Sequence, residues 1–321
     1  MSFSTLYFNQ QQWSAHMIFD IPLAKNWQII TPENRGWSKD QKYHIVDKQG
    51  KHLLLRLADI SQEDKKQQEF FWTQQLFSQN IPMSKPINFG ICNNGQSVYS
   101  LLHWIEGQDA INWLEQHNEQ LQYEAGLQAG KHLQKIHQLT IPSQTISPRQ
   151  EAENIYQEKL ARYEQCGIKI PHEADFIDFI KENFSLLDNI TPVFLHGDYH
   201  VGNMIIDNKH KLWIIDFNRY RFGDPAKDFS QMMVFSRLHS TAFVHGQMDG
   251  YFAGQLNQEF LKRIAFHTAY NTFFSLLWAQ SFGEEAIQNC LNRINMIWLD
   301  YQGFKLSMPS WYQPFINPLN N

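Results

Sequence analysis

The sequence predicts an α+β chain in which a short strand-rich region precedes a much longer helical one. Three observations carry this. Between Tyr43 and His103, apolar runs of strand length are separated by Gly and Asn turns. From Asp109 to Asn189, and again from Asp228 to Gly303, apolar residues recur at helical spacing. Between the two helical stretches lies a polar-rich hairpin, Phe194–Phe217, with the sequence FLHGDYHVGNMIIDNKHKLWIIDF.

Composition narrows the function classes. The chain has 321 residues, 43% hydrophobic and 18% charged, with net charge −5 and a pI near 6.3. Those values fit an ordinary globular protein and argue against a nucleic-acid partner, which leaves a basic footprint. No run of eighteen apolar residues occurs, so no membrane span is expected. The first residues, MSFSTLYFNQQQW, lack the basic and apolar regions of a signal peptide. Cys92, Cys166 and Cys290 are widely spaced and without CxxC pairing, which fits reduced thiols and a cytoplasmic location.

Taken in order, residues 1–35 are punctuated by Pro22 and Pro32, with a short helix expected at Gln10–Phe19. Gly36-Trp-Ser38-Lys-Asp40 is a turn-rich loop. Strands at Tyr43–Asp47 and His52–Leu57 follow, joined through Lys48-Gln-Gly50. An amphipathic helix is expected over Gln62–Ser78. Two more strands, Pro82–Ile91 and Ser97–His103, meet at the Cys92-Asn-Asn-Gly95 turn. Helices are expected at Leu121–Leu139, Gln150–Gln165 and His172–Leu187. Gly126 and Gly130 stand four apart beside apolar residues, a spacing for close helix packing, and His137 on that face reads as a hydrogen-bonded core histidine.

The chemistry is concentrated in the hairpin. Met204–Ile206 and Leu212–Ile215 read as its strands around an Asp207–Lys211 turn, with His196, Asp198, Asn203 and Asp216 at their ends. Two carboxylates and a carboxamide are the parts of a phosphoryl-transfer site: one Asp accepts the proton of the attacking hydroxyl, and Asn and the second Asp hold Mg²⁺ against the phosphates. Asp198 and Asn203 have the Asp-x-x-x-x-Asn interval of kinase catalytic loops, and Asp216-Phe217 ends a later strand. Two other classes stay open. One is a metal-dependent hydrolase using His196-x-Asp198-x-His200 with three ligands to Zn²⁺; the other is a non-catalytic nucleotide-binding regulatory module.

His196-Gly-Asp198-x-x-x-x-Asn203 followed by Ile215-Asp216-Phe217 resembles the aminoglycoside phosphotransferase/choline kinase family. Tyr123-x-x-Gly126-x-x-x-Gly130 and Gly223-Asp224-Pro-x-x-Asp228 are similar to further family elements. The resemblance implies a two-lobed protein-kinase-like fold, with a nucleotide lobe at 1–105 and a helical catalytic and substrate lobe at 106–321. It implies ATP or GTP and Mg²⁺, a small-molecule hydroxyl acceptor, and a monomer or homodimer. Gly36 and Ser38 would cover the phosphates. Arg56, where the family usually has Lys, would contact them with support from Glu69. The hinge at His103, Trp104 and Ile105 would meet the base through main-chain groups. Asp224 and Asp228 would support the loop, and Tyr199, Asn218, Tyr270 and Trp278 are the residues expected against the acceptor. After Ser230 five acidic residues (Asp249, Glu259, Glu284, Glu285, Asp300) face five cations (Arg237, Lys262, Arg263, Arg293, Lys305), a balance unsuited to a polycationic acceptor.

Overall fold

The structure is a computed structural model that describes residues 18, 20–34, 40–143 and 146–312. Gly36 and Ser38, and most of the helix expected at Gln10–Phe19, lie outside the described residues. Contacts divide the chain into two units, Met1–Gly107 with Trp213–Asn218, and Gln108–Leu212 with Arg219–Asn321.

The first unit is built on an antiparallel sheet of five strands: β1 (Trp27–Pro32), β2 (Gln41–Asp47), β3 (His52–Asp59), β4 (Pro86–Cys92) and β5 (Ser97–His103). Their spatial order is β1-β2-β3-β5-β4. Strand β1 is an edge strand that the sequence reading left unassigned; Pro32 closes it, where a missing ladder N–H is tolerated. The β2–β3 turn is held by Asp47, whose Oδ1 accepts from the amides of Gln49 and Lys51, and by Gly50 at φ +75°. The β4–β5 turn places Asn93, Asn94 and Gly95 at positive φ, which Asn and Gly tolerate. Alternation sends Ile45, Leu53, Leu55, Leu57 and Leu101 to one face, where they pack with Ile18, Ile21, Ala24, Trp27 and Ile30. Lys42, His44, Leu54 and Arg56, paired in register across β2 and β3, occupy the other face. Helix α1 (Glu63–Ser78) follows β3 after a short 3₁₀ turn.

The second unit begins with β6 (Gln108–Asp109), α2 (Ala110–Glu115), α3 (Glu119–His137), α4 (Pro148–Gln165) and α5 (Glu173–Glu182). Short strands β7 (Val193–Leu195), β8 (Met204–Ile206), β9 (Leu212–Ile214, where the division between the units falls) and β10 (Arg221–Gly223) follow. The chain ends in α6 (Ala226–Val234), α7 (Thr241–Phe252), α8 (Gln258–Ala279) and α9 (Glu284–Asp300). Caps mark these helices. Asn118, Ser147, Ser240 and Asn257 each accept an N-terminal amide of the helix they precede. Helices α4, α5, α8 and α9 share an aromatic core containing Tyr156, Tyr163, Phe176, Phe266 and Phe273. No helix among the described residues is long and apolar enough to cross a membrane.

Helices α3 and α7 meet backbone to backbone. A methyl on Gly126 would stand 2.1 Å from the Phe243 carbonyl oxygen, and one on Gly130 2.1 Å from that of Gln247. The close packing expected of these two glycines is therefore present. Its other half, Gly246 and Gly250 on α7, faces the carbonyls of Tyr123 and Leu127 in the same way. Gly126→Ala is expected to lose at least the roughly 1–3 kcal/mol of an overpacked core, because the added methyl meets backbone rather than a movable side chain. Thermal unfolding checks this, and an unchanged Tm would show that the two helices separate freely.

Candidate active site

The residues singled out from sequence form two groups, one on each unit. In the second unit, β7 ends at Leu195 and the chain turns sharply at His196-Gly197. Gly197 has φ +81°, and a Cβ there would lie 2.1 Å from the Arg219 carbonyl oxygen. Glycine is required on both counts. Asp228, buried on α6, holds the turn. Its Oδ2 accepts from the His196 amide at 2.8 Å and its Oδ1 from the Gly197 amide at 2.8 Å. His137 on α3 donates through Nε2 to the same carboxylate at 3.2 Å, and its Nδ1 is hydrogen-bonded to the Tyr251 hydroxyl at 2.8 Å. Burial alone would raise the Asp228 pKa. The hydrogen bond from His137, the charges of His137 and His196 and the loop amides outweigh it and hold the carboxyl below its ordinary value.

Asp198 follows on this turn. His200 Nδ1 accepts from the Gly202 amide, so its proton sits on Nε2, 3.5 Å from Asp198 Oδ1. Arg219 Nε is 3.8 Å from the other carboxylate oxygen. Burial pushes Asp198 up, but the His200 hydrogen bond and the charges of His200, Arg219 and His196 bring it down to about 2. Asp198 is thus an anion throughout the neutral range. Asn203 donates from Nδ2 to the Asp198 carbonyl at 2.9 Å, which fixes the carboxamide and leaves its oxygen as the acceptor.

Several expectations need correction here. His196, expected among the catalytic residues, is fully buried and its Nδ1 accepts from the Asp198 amide, a contact that positions the loop. The hydrolase reading needed residues 196, 198 and 200 on one strand, yet β7 stops at Leu195 and the alternation is lost. Tyr199 is fully buried with its hydroxyl on the Ala129 carbonyl, and Tyr270 lies in the aromatic core with its hydroxyl on that of Ala152. Both are removed as acceptor contacts by packing. Trp278 is 42% exposed on α8, its ring 4.4 Å from that of Phe282. Asp224 accepts from the Ala226 amide at the start of α6 and from His267, with Arg263 3.2 Å away.

In the first unit, Arg56 lies among three carboxylates. Its Nε and Nη2 reach Asp40 at 3.1 and 2.8 Å, and its Nη1 reaches Asp216 at 3.1 Å and Glu69 at 3.5 Å. Lys66, one turn before Glu69 on α1, bridges Asp40 at 2.7 Å and Glu69 at 3.1 Å. Burial alone would raise Asp40, but Arg56 and Lys66 hold it below the ordinary carboxylate range. Asp216 adopts φ +66°, a left-handed conformation that is strained for a non-glycine residue and characteristic of functional positions. The amides of His103 and Trp104 are taken by the carbonyls of Lys85 and His52, so among the hinge residues Ile105 is the first beyond these pairings. The Trp104 ring packs on His44, with centroids 4.2 Å apart, and Asn218 lies in a 3₁₀ turn after Asp216. Sequence reasoning missed Asp40, Lys66, Lys42 and Arg219, and it considered His200 only as a zinc ligand. The three-residue spacing of Lys66 and Glu69 on one helix was the signal that could have found the second cation.

Asn203 and Asp216 offer hard oxygen donors, the type Mg²⁺ takes. Among the described residues no three His, Cys, Asp or Glu side chains gather into a cage.

A profile of the phosphotransferase enzyme family APH matches residues 29–262. No curated protein matches the chain by sequence. Among solved structures, a choline/ethanolamine kinase family protein from Mesorhizobium loti superposes with TM-score 0.60 at 13% identity, over 83% of this chain and 87% of that one. An amicoumacin kinase in complex with AMP-PNP, Ca²⁺ and Ami gives 0.61 at 13%, over 87% and 90%. An aminoglycoside 2′-phosphotransferase-IIIa bound to GDP gives 0.63 at 13%, over 88% and 97%. These likenesses establish a protein-kinase-like fold.

Removing the carboxylate of Asp228 strands two backbone amides and His137. Asp228→Ala is expected to lose about 3–5 kcal/mol, as when one partner of a buried ionic cluster is deleted. Because the folded pKa is depressed, the stabilisation is present above the ordinary carboxylate value of about 4 and is lost as pH falls through the lowered one. Denaturant titrations from pH 7 downward should therefore show the wild-type advantage shrinking below about pH 4. An advantage independent of pH would mean that the carboxylate's charge is not what matters.

Proposed function

Because the chain belongs to the phosphotransferase enzyme family, we propose that it transfers the γ-phosphoryl group of ATP or GTP to a hydroxyl of a small molecule. The observation that carries this is the Asp198–Asn203 loop, locked by Asp228 and a glycine that nothing larger could replace. Asp198 orients the acceptor hydroxyl and receives its proton. A carboxylate held at about 2 is a weak base. It suits a loose transition state in which the hydroxyl keeps its proton until bonding to phosphorus is advanced. Asn203 and Asp216 are the residues to hold Mg²⁺, which when bound neutralises charge on the phosphates. Arg56 and Lys66, with Lys42 on the same sheet face as Arg56, supply cations for the phosphate chain. Main-chain groups of His103–Ile105 are the candidates for the base.

A weakly charged acceptor fits the second unit better than a polycation. Of its acidic residues after Ser230, Asp300 is paired with Arg237 and Glu259 with Lys262, and Asp249 accepts from the Tyr123 hydroxyl. These are not available to offset a cluster of ligand ammonium groups.

Asp198→Asn is expected to lower kcat by about 10²–10⁴-fold while leaving nucleotide affinity nearly intact. Asp216→Ala should instead weaken Mg²⁺-dependent nucleotide binding in calorimetry. A wild-type rate for the first variant, or unchanged affinity for the second, would overturn its assigned role. In a screen of hydroxyl compounds, kanamycin-type aminoglycosides should be poor acceptors. Turnover of one of them at or above about 10⁴ M⁻¹s⁻¹, within the ordinary enzyme range, would refute the weak-charge reading.

A further inference from the structure

The sheet of the first unit carries a second concavity, on the face opposite Arg56. It encloses about 440 Å³ and is bounded by the ends of β1, β2, β3, β4 and β5, a volume within the range of small-molecule sites. Leu53 and His103 are register partners, so His103 points to this face, while Arg56, three residues along β3, points to the other.

The walls combine carbon with an excess of donors. Leu23, Trp27, Leu53, Ile87 and Leu101 provide apolar surface. Lys48, Lys51 and Lys85 also line the cavity, against one carboxylate, Asp47, which already accepts two turn amides through Oδ1. Lys51 and Lys85 line the cavity together with His103, whose pKa is depressed by burial and then by the charges of these two lysines.

We infer that this cavity binds a small organic anion with a flat apolar body, an aromatic carboxylate being the simplest case. The carboxylate would meet the lysines, and the ring would cover the leucine floor.

The test is calorimetry on the full chain without nucleotide, so its outcome is independent of the phosphotransferase reading. The probes are indole-3-acetate, its neutral analogue indole-3-ethanol, and inorganic phosphate. Saturable binding of indole-3-acetate with Kd below about 1 mM is expected, with at least tenfold weaker binding of both comparators. Lys51→Gln/Lys85→Gln, which alters only exposed rim residues, should weaken binding tenfold or more. No saturable binding, equal binding of the neutral analogue or of phosphate, or full affinity in the lysine double variant would each overturn the inference.

Discussion

One buried carboxylate holds the loop that carries Asp198 and Asn203 in place. Asp228 lies on α6, more than two dozen residues after the loop it holds, and it gathers that loop's amides and a histidine from α3 around one charge. Without such an acceptor the turn at Gly197 would bury backbone donors with nothing to receive them. The orientation of Asp198 and Asn203 is thus set by a helix that does not carry them. Part of the stability of the second unit is invested in a segment only a few residues long.

The first unit solves a different electrostatic problem. Two cations, Arg56 and Lys66, lie among three carboxylates, Asp40, Glu69 and Asp216. An ammonium at position 56 offers three donors around one point and could not reach all three acids in these directions. The planar fork of Arg presents five donors along two edges and does so. The departure from the usual Lys is therefore matched by its surroundings, with Lys66 supplying the compact charge that position 56 lacks. Any phosphate that approaches Arg56 must exchange with a carboxylate already bound there.

Much of this was legible in the sequence where local chemistry decides local structure. The hairpins at Lys48–Gly50 and Asn93–Gly95, the long helices and the glycine pair on α3 all follow from turn residues and periodicity. The Asp198-to-Asn203 interval and Asp216 after an apolar strand were readable for the same reason. What escaped depends on long-range placement. Strand β1 has too few alternating residues to announce itself beside its prolines. Asp40 and Lys66 look like a loop acid and a surface lysine until the fold brings them to Arg56. Tyr199 and Tyr270 illustrate the converse error, since an aromatic near a motif or in a stripe is most often core, and both are buried with their hydroxyls on backbone carbonyls.

The interleaved glycines of α3 and α7 also govern the order in which the chain can mature. The surface of α3 that carries Gly126 and Gly130 has its partner only at Thr241–Phe252, and residues 138–240 must be synthesised in between. At 5–20 residues per second that interval lasts about 5–20 s. During it α3 has no α7 to close on, and His137 waits even for Asp228. The carboxylate that arranges the Gly197–Asn203 loop and the helix that seals α3 therefore reach the nascent chain almost together, long after α3 itself.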